Sequence, residues 1–328
     1  MTLNANSILI GLLAGLASAL LLVGAGTPSF LTIFLFASAA LPIFIAGLGW
    51  SNQAAIAAVI TSFAILLFTA TPEAAMTSAV TTLLPSAWLA HLSTLARPAS
   101  ELGGPDDQLV WYPLPQLMLH SATFMVIATL IIGWMIGYNA EIVDQVVDNF
   151  ILALNQSGQG AQANFVLANP EGTKAALAKM IPFVQSAMWL IILFSAWYFA
   201  THIVRLSGRS KRPRDNVHLT LRMPQLALIF LGVGLVLMFF DGTISYIGAA
   251  IAGAFASGFM MAGLAVLHMK AAGKMWRNAA IWGSYLSILL FSFPAAIFAV
   301  IGLFETGKPT PLLVSENKAD QAQDNLKT

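Results

Sequence analysis

The first 96 residues of this 328-residue chain carry a single charged side chain, Glu73. Water does not keep such a stretch folded, because a soluble helix needs a polar face and about a quarter of an ordinary globular domain is charged. The whole chain is 9% charged and 58% hydrophobic. Placing the backbone hydrogen bonds inside helices, and the helices inside a bilayer, is what physics leaves open to it. The chain is therefore expected to be an all-α integral membrane protein, a polytopic helical bundle with eight or nine transmembrane segments.

A bilayer core about 30 Å thick takes roughly 20 apolar residues per helix. Nine runs meet that requirement: 7–24, 30–48, 53–70, 74–95, 117–137, 181–204, 224–240, 244–270 and 280–304. Very short links join the first four, which predicts tight antiparallel hairpins, with room for one of the four to be re-entrant. No Lys or Arg precedes the first run, so it reads as a retained helix and not as a signal peptide. Residues 1–305 form one transmembrane domain in this reading, and 306–328 form a polar, disordered tail.

Orientation follows from Lys and Arg, which collect on the cytoplasmic side. Arg205, Arg209, Lys211, Arg212, Arg214 and Arg222 crowd the loop 205–223, and Lys270, Lys274 and Arg277 follow the eighth run. Two spans separate these loops, so both belong inside, as does the loop holding Arg97. Residues 138–180 then form an extracytoplasmic loop. Within it 141–155 reads as an amphipathic helix lying in the interface, broken by Ser157-Gly158-Gln159-Gly160. A nine-span count puts the N-terminus inside and the tail outside.

Few residues point to chemistry. Gly11, Gly15 and Ala19 make a small-residue stripe suited to helix contact, and Gly248, Ala252 and Ala256 make another in the eighth run, which predicts a central position for that helix. Pro42, Pro85 and Pro294 fall in mid-span, where a missing N–H bends a helix and can open a cavity. Glu73 and Asp241 sit in turns on the outer side, where they can form a polar rim for a ligand. His91, His120, His202 and His268 lie near cytoplasmic span ends and His218 in the basic loop, with no paired helical spacing. Asp144 and Asp148 are four apart on the surface helix. No nucleotide-binding loop, metalloprotease or hydrolase motif is present, so no enzyme activity, metal or other cofactor is expected. Zero cysteines exclude disulfides and thiolate sites, and a net charge of +1 argues against nucleic acid.

The run Gly11-Leu-Leu-Ala-Gly-Leu-Ala-Ser-Ala19, the segment Leu41-Pro-Ile-Phe-Ile-Ala-Gly47, Met223-Pro224, and Gly263-Leu-Ala-Val-Leu-His268 together resemble the YybS-like predicted membrane proteins, in particular their proteobacterial branch. That family is of unknown function and is itself similar to the substrate-binding components of energy-coupling-factor vitamin transporters. The resemblance implies a bacterial inner-membrane protein that binds a small solute from outside. It also implies partners: a membrane coupling subunit, contacted by small residues at the positions of Gly11, Gly15 and Ala19, and cytosolic ATPases. Such components have six spans, fewer than expected here. The rival expectation is a scaffold or assembly factor acting through helix contacts and lipid.

Overall fold

The fold is taken from a computed structural model that describes residues 4–26, 31–156 and 170–316. The links at 27–30, the Ser157–Gly160 break and the polar tail from 317 onward lie outside the described residues. Six helices are long and apolar enough to cross a membrane. They are α1 (Ala5–Ala25), a discontinuous helix made of α2 (Thr32–Ser38) and α3 (Ala40–Gly49), α4 (Asn52–Thr69), α7 (Leu114–Met135), α9 (Pro170–Leu206) and α12 (Thr243–Ala271). The fourth predicted run is a composite of α5 (Pro72–Ser78), a π-turn over Ala79–Leu83 and α6 (Leu84–Ser93). The amphipathic α8 (Ala140–Gln156) follows α7, and the single turn α10 (Val217–Thr220) lies in the basic loop. Two helices of 13 residues, α11 (Gln225–Leu237) and α14 (Phe293–Glu305), are shorter than a bilayer core requires, and α13 (Arg277–Phe291) precedes the second of them. The expected count of eight or nine spans is thus not reproduced by uninterrupted helices.

The three mid-run prolines explain most of the interruptions. Pro42 has no N–H for the carbonyl four residues earlier, and the helix breaks at Ala39, whose carbonyl accepts a bond of 2.8 Å from Ser18 Oγ. Pro85 follows the π-turn, where the ladder widens and Ser86 Oγ donates to Thr82 O at 2.6 Å. Pro294 follows Ser292, the one non-glycine residue with positive φ (57°) among those described, and there α13 ends and α14 begins.

Packing is built on small residues. A Cβ on Gly11 would stand 2.5 Å from Ala54 O, and one on Gly15 would stand 2.5 Å from Ala58 O, so α1 and α4 touch backbone to backbone. Helix α12 is central, as its sequence predicts. Gly248 abuts Met238 N of α11, Gly253 abuts Phe183 O of α9, and Gly263 abuts Phe298 O of α14. Phe44, Met118, Leu190, Phe255 and Phe259 fill the largest core between these helices.

Side-chain contacts define two ends. At the basic end, Arg209 lies over the Trp50 ring at 4.5 Å, Asn52 bonds His91 at 2.6 Å, and Arg212 Nη1 donates to Tyr112 O at 2.8 Å. At the acidic end, Tyr138 Oη donates to Ala178 O at 3.1 Å and Lys179 Nζ donates to Met238 O at 2.9 Å, which satisfies a terminal carbonyl of α11. Val143 and Val147 of α8 are buried there against Ala178.

One expectation is corrected at the basic end. Ala96–Pro98 (β1), Gln108–Trp111 (β2) and Val314–Glu316 (β3) form an antiparallel sheet in the order β1-β2-β3, with Val110 opposite Val314, and Trp111 Nε1 donates to Ser315 Oγ at 2.9 Å. The start of the tail is therefore a strand, and it lies at the basic end, not at the outer side that a nine-span count requires. The segment from Arg277 to Glu305 consequently enters and leaves at one end.

Candidate functional site

At the acidic end α7, α9 and α12 diverge around a cavity of about 420 Å3. That is within the size range of small-molecule sites. The C-terminal half of α7 supplies Thr129, Leu130, Gly133 and Trp134, α9 supplies Ile181, Pro182 and Gln185, and the start of α12 supplies Thr243, Tyr246 and Ile247. No charged side chain lines it.

Pro182 is the cause of its shape. A proline inside a helix leaves the carbonyl four residues earlier without its helical donor. That carbonyl belongs to Ala178, and the Tyr138 hydroxyl takes the place of the missing N–H. Tyr138 then stands edge-on to Tyr246, with centroids 5.1 Å apart. Burial, with Tyr246 beside it, pushes the Tyr138 phenol up to about 12, so it remains a donor throughout the physiological range.

Thr129, on the cavity wall, departs from the pattern of its own helix. Hydroxyls within membrane helices usually bond back to the carbonyl one turn earlier, and on the same α7 Ser121 and Thr123 do so to Leu117 and Leu119 at 2.8 and 2.9 Å. Thr129 is 4% exposed, and its Oγ1 has no hydrogen-bond partner among the described residues. An unsatisfied buried hydroxyl costs roughly 1–3 kcal/mol. The oxygen is itself fully buried, so it lies behind the cavity wall and does not open into the cavity. The Gln185 amide likewise has no hydrogen-bond partner among the described residues. Ser62 on α4 is also buried and unpartnered, lines none of the cavities described here, and nothing in the structure explains it.

The family description "Predicted membrane protein (DUF2232)" matches residues 15–306. This chain belongs to the DUF2232 family. No curated protein and no solved structure matches it.

In this DUF2232 protein the residues singled out by sequence are dispersed. Glu73 is exposed in the first turn of α5, where the helix dipole favours a carboxylate and Thr71 Oγ1 caps the Ala74 N–H at 3.2 Å. Asp241 is exposed in the turn before Gly242 (φ 66°), two residues before Thr243 at the cavity. Neither carboxylate lines the cavity. Gly11 and Gly15 face α4 of the same chain, and Ala19 is fully buried. Pro42, Pro85 and Pro294 break helices elsewhere, and Pro182 takes the cavity-forming role expected of them.

The histidines are paired with neighbours in ways their spacing does not reveal. His218 and His268 stack in parallel with centroids 4.9 Å apart, and His268 bonds Tyr285 at 3.1 Å. No group of three potential metal ligands exists among the described residues. Thr129, Gln185 and Tyr246 were invisible to sequence reasoning, because a lone polar residue within an apolar run has no spacing to mark it.

Proposed function

We propose that this protein is a solute-binding component of a membrane transport system and takes a small, mainly apolar organic molecule into the α7/α9/α12 cavity. The observation that carries the reading is an uncharged cavity of about 420 Å3 between α7, α9 and α12, beside the proline-distorted stretch of α9. A ligand with one hydrogen-bonding oxygen can bond the Gln185 amide on the cavity wall, which has no hydrogen-bond partner among the described residues. The role proposed is binding, in keeping with a lining that has no charged side chain and no histidine. In this reading Asp241 and Glu73, both exposed at the acidic end, form the polar approach to the site.

The same reading takes a topology in which α11, though short, counts as a crossing. Eight crossings, made by α1, α2/α3, α4, α5/α6, α7, α9, α11 and α12, place every basic loop on one side, and α13/α14 re-enters there. With the positive-inside rule that side is the cytoplasm of a bacterial cell, both described ends of the chain lie inside, and the cavity faces outward. Energy for uptake would come from partners of the energy-coupling-factor kind, a coupling subunit and ATPases, because the chain has no nucleotide-binding loop. The α1 stripe is occupied by α4, so a coupling subunit would have to dock elsewhere.

Helix α13 favours a second reading. It has no buried residue, and Trp282, Leu289 and Leu290 are exposed. A scaffold would use such a face to hold another membrane protein.

Native mass spectrometry of the gently extracted protein separates the two. Gly133 borders the cavity, where a Cβ meets only Tyr138 Cβ at 3.7 Å, so Gly133→Leu fills the site without a backbone clash. A small molecule that accompanies the wild type and is lost from Gly133→Leu supports the solute-binding role. An empty wild-type protein with stoichiometric protein partners, retained in Gly133→Leu, overturns it in favour of the scaffold.

A further inference from the structure

At the basic end a small pocket of about 50 Å3 lies where α9 gives way to the loop that follows it. That is room for roughly four waters, or for one tetrahedral oxyanion. Buried hydrogen bonds fix its frame. Trp197 donates from Nε1 to Ser93 Oγ at 2.8 Å, and the buried Arg212–Asp215 pair is tied to Tyr112 O through Arg212 Nη1.

Within that frame the charges do not balance. Asp215 is the one carboxylate among the described lining residues, and Arg212 takes both of its oxygens. Arg205, Lys211 and Arg214 also line the pocket, and among the described residues no carboxylate lies within ion-pair distance of any of them. The C-terminal dipole of α9 accounts for a cation at Arg205, but Lys211 and Arg214 lie outside any helix. Arg205 Nη2 donates to His202 Nδ1 at 3.0 Å, which leaves the neutral imidazole its proton on Nε2 as one more donor beside the pocket.

The helix itself joins this pocket to the bilayer. Tyr198, His202 and Arg205 line the pocket from one face of α9, at helical spacing. One residue on, Phe199, Ile203 and Leu206 repeat that spacing, and all three are exposed, so the adjoining face is apolar and open to lipid.

We propose that the pocket holds the phosphate group of an anionic phospholipid whose chains lie along Phe199, Ile203 and Leu206. A phosphodiester accepts from the three cations and from His202, and it supplies the negative charge that Asp215 cannot. A zwitterionic headgroup brings a cation of its own, which the same residues repel. Soluble phosphate matches the charge but makes no use of the apolar face. The pocket shares no lining residue with the α7/α9/α12 cavity, so it stands or falls independently of the solute-binding role.

The test titrates the full chain, in a nonionic detergent, with dioleoyl-phosphatidylglycerol or dioleoyl-phosphatidylcholine and counts bound lipid by native mass spectrometry. Each Lys or Arg beside a membrane surface gives about a fivefold preference for anionic lipid. Arg205→Gln/Arg214→Gln should therefore weaken phosphatidylglycerol by about tenfold or more and leave phosphatidylcholine unchanged. Lys270→Gln/Lys274→Gln removes the same charge outside the pocket and should change phosphatidylglycerol by less than about twofold. Thermal midpoints close to wild type confirm folding. Arg214→Gln alone, at an exposed residue, keeps the test open if the double variant does not fold, with about a fivefold loss expected.

Equal losses in the two double variants mean diffuse attraction and overturn the site, as does equal binding of the two lipids to the wild type. Displacement of phosphatidylglycerol by millimolar inorganic phosphate assigns the pocket to a soluble phosphate and overturns the lipid.

Discussion

Removing the Arg212 side chain should unfasten the basic loop at a cost set by what it leaves behind. Arg212 and Asp215 are 6% and 8% exposed and form a two-bond ion pair, Nε to Oδ2 at 2.7 Å and Nη2 to Oδ1 at 2.8 Å. Nη1 further donates to Tyr112 O at 2.8 Å and Ser93 O at 3.4 Å, which joins the loop to the ends of α6 and β2. Arg212→Met keeps much of the volume but strands the Asp215 carboxylate and removes the donor from the Tyr112 carbonyl. Breaking one side of a buried pair costs about 3–5 kcal/mol. Arg212→Met/Asp215→Leu removes the stranded charge, so the double variant should recover most of that loss and keep a deficit of roughly 1–2 kcal/mol for the orphaned carbonyl. Arg212→Lys should fall between, because one ammonium cannot reach the carboxylate and both carbonyls in the same geometry. Thermal unfolding in nanodiscs and the rate of trypsin cleavage at Arg209 and Lys211 report the effect. The reasoning is refuted if Arg212→Met stays within about 0.5 kcal/mol of wild type, or if the double variant is no more stable than the single one.

Other outcomes can be checked with the same preparations. Gly15→Leu should prevent α1 from seating on α4, because a Cβ there already stands 2.7 Å from Thr61 Cβ; loss of monodisperse protein on size exclusion is the expected result, and unchanged elution contradicts the seam. Tyr138→Phe leaves the Ala178 carbonyl without its donor beside Pro182 and should cost about 1–3 kcal/mol, seen as a lower thermal midpoint. Glu305→Gln weakens contacts to Lys308 at 2.6 Å and Arg222 at 3.7 Å, and should speed amide hydrogen exchange in the segment after Glu305 while leaving the α1–α4 seam intact. The His218 imidazole is held below its ordinary value by burial, then by Arg277 and Arg214, so its neutral form is the one favoured in the fold. Stability from this source is present above about pH 6.5 and is lost as the pH falls through the window between that value and the lowered one. His218→Gln should flatten the thermal midpoint between about pH 7.5 and pH 5.5, and an equal slope in both proteins counts against the assignment.

Much of the scaffold is legible in the residues because lipid imposes so few solutions. The first 96 residues, with Glu73 as their one charge, announce helices, the clusters around Arg209 and Lys274 mark one end, and the Gly/Ala faces of α12 announce its central place. Pro42, Pro85 and Pro294 foretell three interruptions. The cavity was not legible, since it depends on Pro182 near the edge of a predicted span and on how α7, α9 and α12 diverge around it. A lone polar residue such as Gln185 within an apolar run gives no sign of which neighbours it will meet. The sheet escaped for a different reason: β1 and β3 have three residues each, and β3 pairs with a strand some 200 residues earlier. The β-prone run Gln108-Leu-Val-Trp-Tyr112 was the available clue.

That long-range pairing sets an order of events during synthesis. Strand β2 leaves the ribosome before α7, but its partner β3 emerges only after α14, so one edge of β2 stays open while every helix from α7 onward is made. The small sheet is closed last. A ribosome stalled anywhere beyond Trp111 and short of Val314 therefore holds an intermediate in which β2 still lacks one neighbouring strand, the kind of open edge that favours wrong pairing.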